Sequence, residues 1–163
     1  MSINPIDKAD QRILSELQSN GRLSNQELAD KVNLTPSPCL RRVRKLEEDG
    51  WIENYRAVLN RQRLGLGLTV FTEIKVEGHG VEGICQDLRD ALIEMPEVVS
   101  FHIVSGQADY LLEVVVPDLE HYERFLLKKL LKYKTVKEVN SNFAIKTIKA
   151  HDPLPLEHLH QEI

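Results

Sequence analysis

The apolar residues of this chain change period once, and that change constrains the fold more than any other feature. Up to about residue 60 they recur at helical spacing in three short segments. Beyond a glycine-interrupted stretch, Arg61-Gln62-Arg63-Leu64-Gly65-Leu66-Gly67, they alternate as in strands, and helical runs then intervene between alternating ones. Ile6, Ala9, Ile13, Leu14 and Leu17 define the first helix, entered through Asn4-Pro5 as cap and first helical position and closed at Asn20-Gly21. Ser24 with Glu27 three residues on forms a capping box, and Leu28, Ala29 and Val32 give a short second helix its stripe. Thr35-Pro36-Ser37-Pro38 opens a third, with Thr35 as cap and both prolines in the first turn, where a missing N–H costs nothing. Leu40, Val43 and Leu46 form its apolar face, and Gly50 supplies the left-handed residue that stops it. Trp51 to Leu59 is rich in strand formers, which predicts a small hairpin or wing. The order is that of a helix-turn-helix, its third helix entering a groove.

Charge sharpens that expectation. With 21 Lys and Arg against 25 Asp and Glu the 163-residue chain carries a formal −4, which by itself argues against a polyanionic partner. Locally the balance inverts: between Thr35 and Leu46 stand Arg41, Arg42, Arg44 and Lys45 and no acid. Duplex DNA is therefore the expected partner of the third helix. Thr35, Ser37 and Pro38 lie at its start, the last two nearest base edges; Arg41 and Arg42 reach guanine or phosphate, and Arg44 and Lys45 reach phosphate. At the start of the second helix Ser24 and Asn25 are candidate phosphate donors, with Ser24 as a plain N-cap the equal alternative.

The second half reads as βαββαβ. Leu68, Val70, Ile74 and Val76 alternate with Thr69, Glu73 and Lys75, and Val81 to Met95 keeps helical spacing up to Pro96. Val98 to Ser105 and Tyr110 to Val116 are strands joined by the turn Gly106-Gln107-Ala108-Asp109. Pro117-Asp118 caps a second helix bearing Leu119, Tyr122, Leu126 and Leu130, and Val136 to Lys149 is a long last strand. The expected class is α+β: a winged helix-turn-helix at 1–60, a hinge at 61–67, a ferredoxin-like βαββαβ domain at 68–150 and a tail at 151–163. Phe71, Phe101, Ile103 and Tyr110 do not all fit beneath two helices, so the open face of the sheet is expected to meet a second copy. The turn at Gly106 admits two readings. It is an ordinary hairpin turn with Gly at positive φ and Asp109 bonding its own backbone, or a nest of N–H groups for a carboxylate with Asp109 facing an ammonium.

Catalysis finds no anchor: the sequence contains no Ser/His/Asp set, phosphate-cradling glycine loop or paired carboxylate cluster, so an enzyme is not expected. Cys39 and Cys85 fall in amphipathic segments and read as buried thiols, and His158 and His160 read as a solvated tail, with no metal site and no cofactor. The N-terminus lacks the basic and apolar runs of a signal peptide and no stretch approaches a membrane span, so the expected location is the cytoplasm with no membrane partner.

Several runs resemble the leucine-responsive regulatory protein and asparagine-synthase regulator (Lrp/AsnC) family. They are Asp7, Asp10, Ile13-Leu14 and Leu17; Gly21-Arg22-Leu23-Ser24; Glu27-Leu28-Ala29; Leu34 through Glu47; and Gly50-Trp51-Ile52, with the likeness covering roughly residues 4–150. The resemblance implies a transcription regulator whose effector domain pairs through its sheet into a homodimer, with dimers gathered into larger, often octameric, assemblies. A Gly-x-x-Asp-Tyr turn at a dimer–dimer interface then forms part of an amino acid pocket. By position this carries Gly106, Gln107, Asp109 and Tyr110 into the effector site, with Ile103 before the turn and Ser141, Asn142 and Phe143 on the last strand. The apolar surroundings of the turn suggest a branched aliphatic amino acid such as leucine, or methionine. Two rival readings remain: a ligand-independent architectural protein that compacts DNA, and an RNA-binding module of the same βαββαβ topology. Against the second, Tyr110 to Val116 offers one aromatic and an acid where such modules stack bases.

Overall fold

In a computed structural model describing residues 6–77, 86–150 and 152–160, the chain forms two compact units divided at Val58/Leu59 and at Ile148/Lys149. The first holds three helices, α1 (Lys8–Ser19), α2 (Asn25–Val32) and α3 (Pro36–Glu48). Asp7 is the N-cap of α1: its carboxylate accepts from the N–H groups of Ala9 and Asp10, and the Asp10 carboxylate accepts from the Asp7 N–H. The expectation for Asn4 and Pro5 lies outside the described residues. Ser24 and Glu27 close the anticipated capping box on α2, and Asn33 ends that helix at φ 57°. Ile13, Leu14, Leu28, Ala29, Val32, Cys39 and Leu46 form the core, each large aliphatic side chain contributing roughly 1.5–3 kcal/mol on burial. Cys39 takes the place expected of Leu40, which is exposed. Burial pushes the Cys39 thiol pKa up, while Cys85 lies outside the described residues.

The hairpin expected after α3 is not paired within the described residues. Residues 52–60 carry no strand ladder. They contain no glycine or proline to reverse the chain, and Tyr55 is held instead against Gly21, where a Cβ would come within 3.3 Å of its ring, with its hydroxyl 3.1 Å from Glu47 Oε1. Nor is the tail wholly solvated. Gln18 brackets Leu154 by donating to its carbonyl (3.3 Å) and accepting from its N–H (2.7 Å), Gln11 donates to the Leu159 carbonyl, and Leu156 packs on the helical core. The helical unit is thus assembled from both ends of the sequence.

The second unit is a four-stranded antiparallel sheet of order β2-β3-β1-β4, with β1 (Leu68–Val76), β2 (Val98–Ile103), β3 (Tyr110–Val116) and β4 (Val136–Phe143). Its helices are α4 (Gln86–Glu94) and α5 (Leu119–Arg124), the latter capped by Asp118 and continuing as a wider π-helical turn over Phe125–Leu130. This is the anticipated βαββαβ order; the predicted start of α4 at 81–85 lies outside the described residues. β4 stops at Phe143, short of the expected Lys149: the Ala144 N–H still donates to the Thr69 carbonyl at 3.0 Å, but beyond it Ile145 and Ile148 are solvent-exposed. Arg61 to Gly67, expected as a hinge, belongs to this unit, with Arg61 Nη1 2.8 Å from Glu113 Oε1 on the uncovered sheet face and the Gly65 turn (φ 73°) closing behind it.

The covered face of the sheet accommodates more of the aromatic residues than expected. Val70, Thr72, Ile74, Tyr110, Leu112 and Val114 lie beneath the helices in one core, with Phe101 packed edge-on to Tyr110 at 5.0 Å. Of the four aromatic and aliphatic residues expected to overflow that core, Tyr110 and Phe101 are accommodated. Phe71, opposite Glu113 and Asn142, stands on the open face at 41% exposure, and Ile103 is half exposed at the end of β2.

Candidate DNA interface and effector turn

Helix α3 sorts its polar residues by face. Ser37, Arg41, Arg44 and Lys45 line one shallow surface depression together with Leu40 and Glu48, at the spacing of successive turns. Arg41, Arg44 and Lys45 are exposed, and none makes an ion pair among the described residues. Arg42, sequence-adjacent and of the same chemistry, points the other way. Its Nη1 lies 2.8 Å from both Asp7 Oδ2 and Asp10 Oδ1, so it ties α3 to the cap of α1. The Asp10 N–H on its carboxylate and, with it, Arg42 hold the Asp7 pKa below the usual carboxylate value. The sequence assigned Arg42 to DNA; the structure gives it a structural partner, because the α1 cap supplies two carboxylates where it emerges from α3. Asp7 and Asp10 were visible in the sequence, but no periodicity links them to a residue 35 and 32 positions on.

The other predicted contacts divide similarly. Thr35 sits at the N-cap without a side-chain capping bond, leaving its exposed hydroxyl uncommitted to the helix. Pro38 is half-buried. Ser24 accepts from the Glu27 N–H as a capping residue, and Asn25 Nδ2 donates to the Pro36 carbonyl at 2.9 Å, joining the starts of α2 and α3.

The effector candidates do not converge within one chain. Gly106 has φ 122°, a conformation that favours glycine, and open space where a Cβ would stand, so backbone geometry rather than packing requires it. Asp109 is partly committed: its Oδ2 accepts from the Val76 N–H at 2.8 Å, its N–H donates to the Ile74 carbonyl and its carbonyl accepts from Val104. The turn is thereby fixed to the end of β1. Gln107 is exposed, Ile103 pairs with Tyr110, and Tyr110 is buried in the core. Ser141 pairs with Thr72, four residues along β1 from Val76, or about 13 Å away. Ser141 and Phe143 face the helices, with the Ser141 hydroxyl 2.6 Å from that of Tyr122 and the Phe143 ring 5.5 Å from the Tyr122 ring, whereas Asn142 opens onto the opposite face. Tyr122 also bonds Thr72 Oγ1 at 3.0 Å, completing a buried Thr72–Tyr122–Ser141 chain that the sequence did not announce. Among the described residues no group of three His, Cys, Asp or Glu side chains is placed to hold a metal, and no helix is long and apolar enough to cross a membrane.

Comparison with known proteins places these features. Residues 6–53 match a winged helix-turn-helix DNA-binding family, and residues 69–154 match the Lrp/AsnC ligand binding domain. The DNA-binding transcriptional activator DecR of Escherichia coli K12 is 39% identical over 152 residues, spanning 93% of this chain and 99% of its own. The leucine-responsive regulatory protein of the same strain is 38% identical over 93% of this chain and 92% of its own. A transcriptional regulator from Neisseria meningitidis, solved as its L-Met complex, superposes with a TM-score of 0.87 at 38% identity, covering 94% of this chain and 99% of the other. The fold and the basic helix together define a DNA-binding transcription regulator with an amino-acid-binding domain. The chain belongs to the Lrp/AsnC family.

Proposed function

We propose that this regulator reads a two-fold symmetric operator through α3 of two copies, and that an amino acid held at the Gly106–Asp109 turn changes how copies assemble on DNA. The carrying observation is the exposed, unpaired row Arg41, Arg44 and Lys45 on one face of α3. Ser37 and Arg41, nearest the helix start, contact base edges, while Arg44 and Lys45 neutralise phosphates. Two-fold symmetry requires the half-sites to lie one DNA turn apart, about 34 Å. Thr35 is the remaining candidate donor at this end of the helix.

At the turn, the exposed N–H groups about Gly106 and Gln107 receive the carboxylate of the ligand, and the Asp109 oxygen not engaged with Val76 faces its ammonium. Ile103, half exposed beside the turn, favours an aliphatic side chain, and leucine or methionine is the proposed effector. The L-Met complex of the Neisseria meningitidis regulator and the leucine-responsive relatives support that choice. Ser141 to Phe143 lie too far from the turn to share a site in one chain, so the pocket is completed by a neighbouring copy. In the resembled family this turn lies between dimers, and the proposed assembly here is a homodimer that gathers into an octamer.

The test uses Asp109→Asn, which preserves an acceptor for the Val76 N–H while removing the charge. Wild type should melt at higher temperature in leucine or methionine, by mass action on the ligand-binding state. Asp109→Asn should melt like wild type without ligand and lose that increment. An unchanged increment refutes the assignment of the turn.

A further inference from the structure

Outside α3 the strongest charge anomaly lies at the end of α5 and in the loop that follows it. From Arg124 to Lys137 the sequence places Arg124, Lys128, Lys129, Lys132, Lys134 and Lys137 with no acid among them, in a chain whose total charge is −4. Half of these are satisfied locally: Arg124 faces Glu120 at 3.9 Å, Lys129 pairs with Glu97 at 2.5 Å and Lys137 with Glu77 at 3.1 Å. Lys128, Lys132 and Lys134 are exposed and make no ion pair among the described residues, Lys132 lying only over the Tyr133 ring at 5.0 Å. A helix C-terminus favours a cation or two in its last turn, and Lys128 and Lys129 already fill that role. The dipole decays within a turn and gives no reason for Lys132 and Lys134 beyond it, where mutual repulsion opposes a third uncompensated charge.

We propose that Lys128, Lys132 and Lys134 form a second DNA-binding surface, a sequence-independent contact to the phosphate backbone of duplex flanking the site read by α3. Three unpaired lysines suit this chemistry. Lys binds phosphate as a point charge on a flexible stem without demanding base geometry, whereas the base-reading helix α3 is arginine-rich. The surface adds affinity and salt dependence but no sequence preference, since phosphate contacts position a protein without specifying bases.

The experiment measures full-length affinity between about 50 and 200 mM salt on two duplexes, one of about 20 base pairs that only spans both half-sites and one three times as long. For wild type the long duplex should bind more tightly and with the steeper salt dependence. The triple variant K128Q/K132Q/K134Q should leave short-duplex affinity unaltered. On the long duplex it should abolish the excess and flatten the log–log slope by about 2–3, at roughly 0.9 per phosphate contact. The triple arginine variant should behave as wild type. Arg41→Ala should weaken both duplexes alike, which separates failure of the α3 reading from failure of this one. The proposal is overturned if the glutamine variant matches wild type on both lengths. It is also overturned if the variant's sedimentation changes in the absence of DNA, which assigns the lysines, with the exposed Leu127 and Leu131 beside them, to contacts between copies.

Discussion

The two units of this regulator use polar side chains differently. In the helical unit, apart from the buried Gln11, they stand mostly at helix ends and on the surface: Asp7 and Asp10 with Arg42, Ser24 with Glu27, Asn25 with the Pro36 carbonyl. Once those ends are satisfied, Arg41, Arg44 and Lys45 are left exposed on α3 without an ion pair among the described residues. In the sheet unit the polar groups are built into the structure itself. Thr72, Tyr122 and Ser141 share hydrogen bonds beneath the helices, and Asp109 fastens a turn to a strand. In the proposed function the DNA-contacting residues of the first unit are those that remain unpaired, whereas in the second a residue is structural and is still proposed to present one oxygen to a ligand.

The largest effect that tests this contrast is in the sheet core. Tyr122→Phe removes the hydroxyl that joins Thr72 to Ser141 and leaves the buried Thr72 hydroxyl and the part-buried Ser141 hydroxyl to find other partners. The expected loss is about 1–3 kcal/mol in denaturant unfolding. Ser24→Ala, on an exposed cap, should cost nearer 1 kcal/mol. A larger loss from Ser24→Ala than from Tyr122→Phe would break the comparison. Next in size is the pair of neighbouring arginines. Arg41→Ala should lower DNA affinity about tenfold or more with an unchanged melting temperature. Arg42→Ala should do the reverse, costing about 1 kcal/mol of stability through the partly exposed pairs with Asp7 and Asp10. Identical DNA phenotypes for the two would show that α3 is not sorted by face. Smaller still, Leu156→Ala should destabilise the helical unit by about 1 kcal/mol, because that side chain is only partly withdrawn from water. No shift would return the tail to solvent.

How much of this was legible in the sequence follows from the range of the interactions. Local chemistry reads well: the Ser24/Glu27 box, the Gly50 stop, the Asp118 cap and the limits of β3 all rest on residues within a few positions of one another. What failed depends on distant partners. Arg42 looked like its neighbours until Asp7 and Asp10 came into contact with it. The paired hairpin after α3 was inferred from β-propensity, which says nothing about whether a second strand exists to pair with. The tail was read as solvated because its polar and apolar residues lack a period, yet Gln18, 136 positions earlier, supplies the two bonds that hold Leu154. The candidate effector residues were picked one at a time, and only the strand register shows that Ser141 and Gly106 lie along different stretches of the sheet unit.

The smallest effect concerns Tyr55, whose segment was expected to be a wing. Burial of the phenol, together with its hydrogen bond to Glu47, raises its pKa from 10 to about 12. Below pH 10 folded and unfolded chains both keep the proton, and the contact contributes fully. Between pH 10 and about 12 the unfolded chain releases the proton while the folded one retains it, so stability falls as pH rises through that window. Trp51, the sole tryptophan, packs on the helical core and reports unfolding of this unit by fluorescence. Tyr55→Phe keeps the ring against Gly21 and removes the titrating group, so its stability should vary less with pH between 10 and 12 than that of wild type. A variant with the same alkaline slope would mean that Tyr55 is not held by Glu47, and that the segment after α3 is as loosely attached as a free linker.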